Sequence, residues 1–100
     1  MHAAAFTDLV GPDGVDLIEQ PDPTPGDGEA LVDVKACSLN RHDLWILDGD
    51  SAMIRGESLP FVSGLDPAGV VREAPAGVDI EVGDRVLLCP NQTCGTCDRC

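Results

Sequence analysis

Aromatic side chains are scarce in this 100-residue chain: one Trp, two Phe and no Tyr. A core therefore has to be packed from Val, Leu, Ile and Ala, which the 43% hydrophobic content can supply. Lysine is nearly missing too. Lys35 is the only one, and Lys and Arg together number 6 against 18 Asp and Glu, a formal net charge of -12. Nucleic-acid phosphates demand Lys and Arg, so this balance argues against a nucleic-acid partner. Long apolar runs are absent, and none approaches the roughly 20 residues of a membrane span. The opening MHAAAFTDLV has neither the basic start nor the apolar length of a signal peptide. The expectation is a cytoplasmic protein with no membrane partner. No internal repeat is present. No G-x-G-x-x-G stands between a strand and a helix, and there is no Walker loop. The nearest piece, Gly26-Asp27-Gly28, precedes a strand and lacks the third glycine, so it cannot cradle a dinucleotide pyrophosphate.

What is present in quantity is acid, spread along the chain, and 13 of the 18 acids are Asp. Such a surface repels itself in ordinary salt. In about 1 M salt the Debye length falls to roughly 3 Å and the repulsion is screened. The composition therefore suggests a cytoplasm of high ionic strength. A chain of this size buries roughly two-thirds of its unfolded surface, enough for one modest core and not for two domains.

Short extended segments alternate with Gly and Pro. Ala3–Phe6 is apolar, and Val15–Glu19 alternates as V-D-L-I-E. The stretch Gln20–Gly28 carries prolines at 21, 23 and 25 and must be a loop or an edge. Glu29–Cys37 sets Leu31, Asp33 and Lys35 against Val32, Val34 and Ala36, the pattern of a half-buried strand. Asn40 is placed as an N-cap with Asp43 three residues on, so Arg41–Leu47 should form a short helix stopped at Gly49. Ser51–Ser58 reads as irregular. Gly69–Glu73 and Asp84–Leu88 are further strands, punctuated by Gly77 and the Val82-Gly83-Asp84 corner. The fold class is mainly β, a barrel or sandwich with one short helix.

Four of the five cysteines fall between Cys89 and the end, as Cys89-x4-Cys94-x2-Cys97-x2-Cys100. Closely spaced thiols without a secretion signal favour metal over disulfides. Two-residue gaps let a turn aim successive sulfurs at one point, and four thiolates close a tetrahedral structural zinc site. The Cys-x4-Cys-x2-Cys spacing also suits an iron–sulfur cluster. Cys89 is either a packed strand-end residue, the favoured reading, or a fourth ligand. A small four-cysteine zinc module and an iron–sulfur electron carrier are therefore alternatives to an enzyme.

Four ordered blocks bear on that choice: Val34–Gly49 (V-K-A-C-S-L-N-R-H-D-L-W-I-L-D-G), Leu59–Val71 (L-P-F-V-S-G-L-D-P-A-G-V-V), Val82–Val86 (V-G-D-R-V) and Cys94–Cys100 (C-G-T-C-D-R-C). Together they resemble the medium-chain alcohol dehydrogenase and quinone reductase superfamily over essentially the whole chain. The resemblance implies a GroES-like β-barrel domain over residues 1–100, incomplete, followed in the family by a Rossmann domain that binds NAD(P). It implies a structural zinc lobe in which Cys94, Cys97 and Cys100 match the first three ligands and the fourth lies further on. The chain would then be the N-terminal portion of a longer oxidoreductase, inactive alone, acting on a small-molecule substrate, with homo-oligomerisation open to the full-length protein.

Where the zinc alcohol dehydrogenases carry a cysteine ligand, this chain has Asn40. Where they carry Gly-His-Glu, it has Gly64-Leu65-Asp66, and Leu65 cannot bind metal. The expectation is an oxidoreductase without catalytic zinc, closer to the quinone reductase branch. Arg41 matches a cofactor-pyrophosphate contact, with a solvated helix residue as the alternative. His42 matches a proton-relay position or is a surface histidine. Asp43 is a helix cap. Asp66 lines the cleft or forms a turn before Pro67. Asn40, His42 and Asp66 are thus the candidate catalytic residues and Arg41 the candidate cofactor contact. Trp45 and Cys37 are expected in the core, and His2, near a chain end, carries no role.

Overall fold

A computed structural model describes residues 1–52, 54, 56–91 and 93–99. Six strands and one α-helix follow one another as β1 (His2–Phe6), β2 (Val15–Glu19), β3 (Leu31–Ser38), α1 (Arg41–Leu47), β4 (Phe61–Val62), β5 (Asp66–Glu73) and β6 (Arg85–Leu87). Single 3-10 turns occur at Pro12–Gly14 and Gly56–Ser58. The strands pair antiparallel into two three-stranded sheets, ordered β2-β1-β4 and β3-β5-β6.

In the first sheet β1 is central, in register with β2 from His2 opposite Glu19 to Phe6 opposite Val15. His2 is therefore a paired strand residue and not a loose end. Period-two alternation puts Ala3 and Ala5 inside, and Phe6 joins them at the strand's end. Helix α1 supplies the other half of the core. Its residues 43, 46 and 47 lie on one face at i, i+3 and i+4 spacing, and all three are buried. Phe6, Ile46 and Leu47 form the core cluster, with Leu9, Ile54, Leu59 and Phe61 packed around it. The Phe6 and Phe61 rings meet at 6.4 Å between centroids, tilted by 55°. The same helical geometry corrects the placement of Trp45. It falls off the buried face, is 51% exposed, and contacts only the His42 ring among aromatic partners, edge-on at 6.2 Å.

The second sheet is built on β5, which pairs with β3 at seven positions and with β6 at three. Val71 is the most deeply buried large side chain, at 1% exposure. Gly69 is fixed by close approach. A Cβ there would stand 2.3 Å from the Asp33 carbonyl oxygen across the ladder. The expected half-burial of β3 is not observed. Only Leu31 and Val32 are half-buried, and the rest of the strand is exposed, Val34 at 58%. The register shifts between Leu31 and Val32 and again between Val34 and Ala36, where Lys35 leaves the ladder. Such a bulge breaks the two-residue alternation.

Candidate active site

The loop from β3 into α1 and the loop from β4 into β5 meet to form a cleft of about 540 Å³. Apolar side chains from β1, β2 and α1 make most of its wall. Polar groups gather at one end, where Asn40, Arg41, Asp43 and Ser63 line it.

Asn40 organises that end. It is the N-cap of α1, in extended conformation, and its side-chain Oδ1 accepts the His42 N–H at 3.0 Å. The Asp43 carboxylate reaches back and accepts the Asn40 N–H at 2.9 Å, closing a capping box. These contacts satisfy backbone donors that a helix start otherwise leaves without partners. The other end of the Asn40 amide donates from Nδ2 to Asp66 Oδ2 at 3.0 Å. Asp66 is thus neither a free turn residue nor part of the cavity wall. It is the first residue of β5, opposite Ser38 in the ladder, with its carboxylate held by Asn40.

The structure therefore brings two of the three candidate catalytic residues into direct contact. The third, His42, stands apart on the outer face of α1 against Trp45, outside the cavity lining. Arg41 is exposed at the cleft lip. One member of the cleft was not anticipated. Ser63, between β4 and β5, donates its hydroxyl to Asp43 Oδ1 at 2.5 Å. A lone serine before a glycine carries no signal of a partner twenty residues away. Beside it, Gly64 has φ of 135°, and a Cβ there would lie 2.9 Å from Cys37 Sγ. Cys37 lines the cleft and is exposed, not a packed core residue as its strand position suggested.

The cysteine segment forms a turn at Gly95, whose φ is 71°. Cys94 Sγ accepts hydrogen bonds from the Thr96 hydroxyl at 3.5 Å and from the Cys97 N–H at 3.3 Å. Donation from Thr96, then from Cys97, holds the Cys94 thiol far below its ordinary range, at about 6. A thiol so stabilised as thiolate is the form that binds soft metal ions, so the donor chemistry fits a thiolate metal site. Cys94 and Cys97 are both exposed on this one turn. Cys100 lies outside the described residues, and among those described no three His, Cys, Asp or Glu side chains converge on one point. Cys89 is exposed, which corrects its reading as a packed residue. The strand β6 ends at Leu87, so Cys89 is beyond the ladder that would have buried it. No helix among the described residues is long and apolar enough to cross a membrane.

The alcohol dehydrogenase GroES-like domain family matches residues 26–100. An alcohol dehydrogenase of Schizosaccharomyces pombe is 37% identical over 98% of this chain and 28% of its own length. A solved NAD-dependent alcohol dehydrogenase superposes with a TM-score of 0.88 at 35% identity, over 100% of this chain and 29% of that one. A mycobacterial quinone oxidoreductase superposes with a TM-score of 0.73 at 36% identity, over 87% of this chain and 27% of that one. The chain spans less than a third of the length of these relatives. The mainly-β architecture with one short helix and the four ordered sequence blocks agree with this likeness: the chain belongs to the alcohol dehydrogenase GroES-like domain family of medium-chain oxidoreductases.

Proposed function

We propose that this chain is the GroES-like, substrate-binding portion of an NAD(P)-dependent medium-chain oxidoreductase that works without catalytic zinc. Residues 1–100 form one incomplete domain, and the dinucleotide is held by a further domain. The nicotinamide cofactor, when bound, supplies or accepts the hydride. The chain's own residues bind and orient a small-molecule alcohol, carbonyl compound or quinone. Arg41, a guanidinium at the cleft lip, suits cofactor phosphate oxygens. The cleft end lined by Asn40, whose amide is held by Asp66, receives the polar end of the substrate.

The observation that carries this reading is the state of Asn40. Both ends of its amide are engaged, one by the His42 N–H and one by Asp66. A neutral amide held in that way is a poor ligand for a Lewis-acid ion, and Leu65 at the family's second ligand position offers no donor. The metal belongs instead to the cysteine turn, where Cys94, Cys97 and Cys100 hold a structural zinc. The remaining features are consistent with a soluble cytoplasmic enzyme at high ionic strength. The net charge of -12 speaks against nucleic acid as partner.

Metal analysis tests the assignment. The purified chain should carry zinc that is lost in Cys94→Ser and retained in Asn40→Ala. Loss of a metal equivalent in the Asn40 variant would place the ion in the cleft and overturn the reading. Fused to the dinucleotide domain of a relative, the chain should support NAD(P)H oxidation by a quinone or aldehyde. No turnover from a folded, nucleotide-binding fusion would remove the hydride-transfer assignment.

A further inference from the structure

The walls of the cleft are apolar, made by Ala4, Phe6, Val15, Leu39, Leu44 and Leu47, and its hydrogen-bonding corner is set by Ser63 and Asp43. Asp43 is buried, at 7% exposure, and each of its oxygens is engaged. Oδ2 accepts the Asn40 N–H and Oδ1 accepts the Ser63 hydroxyl. Helix capping requires only the first of these, so it leaves the Ser63 contact unexplained. A hydroxyl has one proton and two lone pairs. With the proton committed to a carboxylate, Ser63 presents only lone pairs to the cleft. The carboxylate also polarises the hydroxyl and makes its oxygen a stronger acceptor.

We propose that Ser63 is the substrate-oxygen contact of this cleft, its Oγ accepting the O–H of an apolar alcohol or hydroquinone whose carbon skeleton lies on the apolar walls. The assignment rests on the hydride-transfer reading above and narrows its substrate class to uncharged hydroxyl compounds with an apolar body. A charged or many-hydroxyl substrate would set polar groups against the walls without partners, which is costly. An ether of the same shape has no proton to give Ser63.

The test uses the chain without nucleotide, so its outcome is independent of hydride transfer. Failure of binding leaves the redox reading standing, and failure of turnover leaves the binding result intact. 2-Naphthol and its methyl ether, 2-methoxynaphthalene, are titrated against the chain and followed by amide NMR. One hydrogen bond to a charge-polarised oxygen should make the naphthol bind about 5-fold tighter than the ether, with the largest shifts at Ser63 and Gly64. Ser63→Ala should abolish the preference and Ser63→Thr should restore it. Equal affinity of the two probes for the wild type, a preference that survives in a folded Ser63→Ala, or shifts confined to another surface would each overturn the proposal. Should Ser63→Ala fail to fold, the wild-type preference and its shift map decide the matter.

Discussion

Asn40 caps a helix and restrains a carboxylate with one side chain, so its replacement has two costs. Asn40→Ala should destabilise the chain by about 1–2 kcal/mol, from the lost cap and the unpartnered Asp66 oxygen together, as read by denaturant unfolding. Asn40→Asp keeps a good capping residue but turns a carboxylate toward Asp66, and its unfolding midpoint should also fall below that of the wild type. The capping box was legible in the sequence because Asn-x-x-Asp before an apolar run is a local signal. The tie to Asp66 was not, because it joins positions 26 apart. The thiols make a second residue-scale case. Hydrogen bonds from Thr96 and Cys97 lower Cys94 to about 6, so its thiolate dominates at pH 7 and is lost only as the pH falls through about 6. In the metal-free chain, iodoacetamide should label Cys94 at nearly constant rate from pH 9 to 7, slowing through pH 6. A rate that declines throughout that range, as for an ordinary thiol near 8.5, would contradict the observed contacts. Bound zinc should protect the same residue.

Elements differ in how well local pattern foretold them. Helix α1 and strand β2 occupy the residues that capping and alternation indicated, Arg41–Leu47 and Val15–Glu19. Strand β5 begins three residues earlier than its apolar run suggested: Pro67 stands opposite Cys37 in the ladder, and its carbonyl accepts the Leu88 N–H. Strand β4 is two residues long and carries no periodicity to read. Strand β3 shows the alternating pattern without the burial it implies, since the shift around Lys35 is a property of its pairing with β5 and not of its own sequence. The tightest point of that pairing is Gly69. Gly69→Ala places a methyl group against the Asp33 backbone and the Val32 side chain. The ladder has to open to admit it, and the expected loss is about 1–3 kcal/mol, in the range of overpacked interiors. Hydrogen exchange should show reduced protection in β3 and β5, with β1 and β2 unaffected.

Over the whole molecule, charge is the dominant unbalanced quantity. Among the side chains described, Arg72 bridges Asp22 at 3.6 Å and Asp33 at 3.7 Å, and the 6 Lys and Arg are too few to pair with 18 acids. Mutual repulsion therefore opposes compaction at low ionic strength, and the thermal midpoint should rise when KCl is raised from tens of millimolar to about 2 M. A midpoint that stays level or falls would show that the acids are not a stability burden. This composition was plain from the sequence, and so was the mainly-β class. The meeting of two loops over one cleft was not, because it depends on contacts between β1, α1 and the β4–β5 loop that no local pattern encodes. The division into two separate sheets carries its own consequence. Strands β2, β3, β4 and β6 each lie at a border, and border strands are where sheets of neighbouring molecules pair. Asp16 and Glu19 on β2, Asp33 on β3 and their like-charged counterparts on a second molecule act as gatekeepers against such stacking. Concentrated electrolyte quiets these guards along with the internal repulsion, so conditions that make each copy hardest to melt are also those that most favour aggregation between copies.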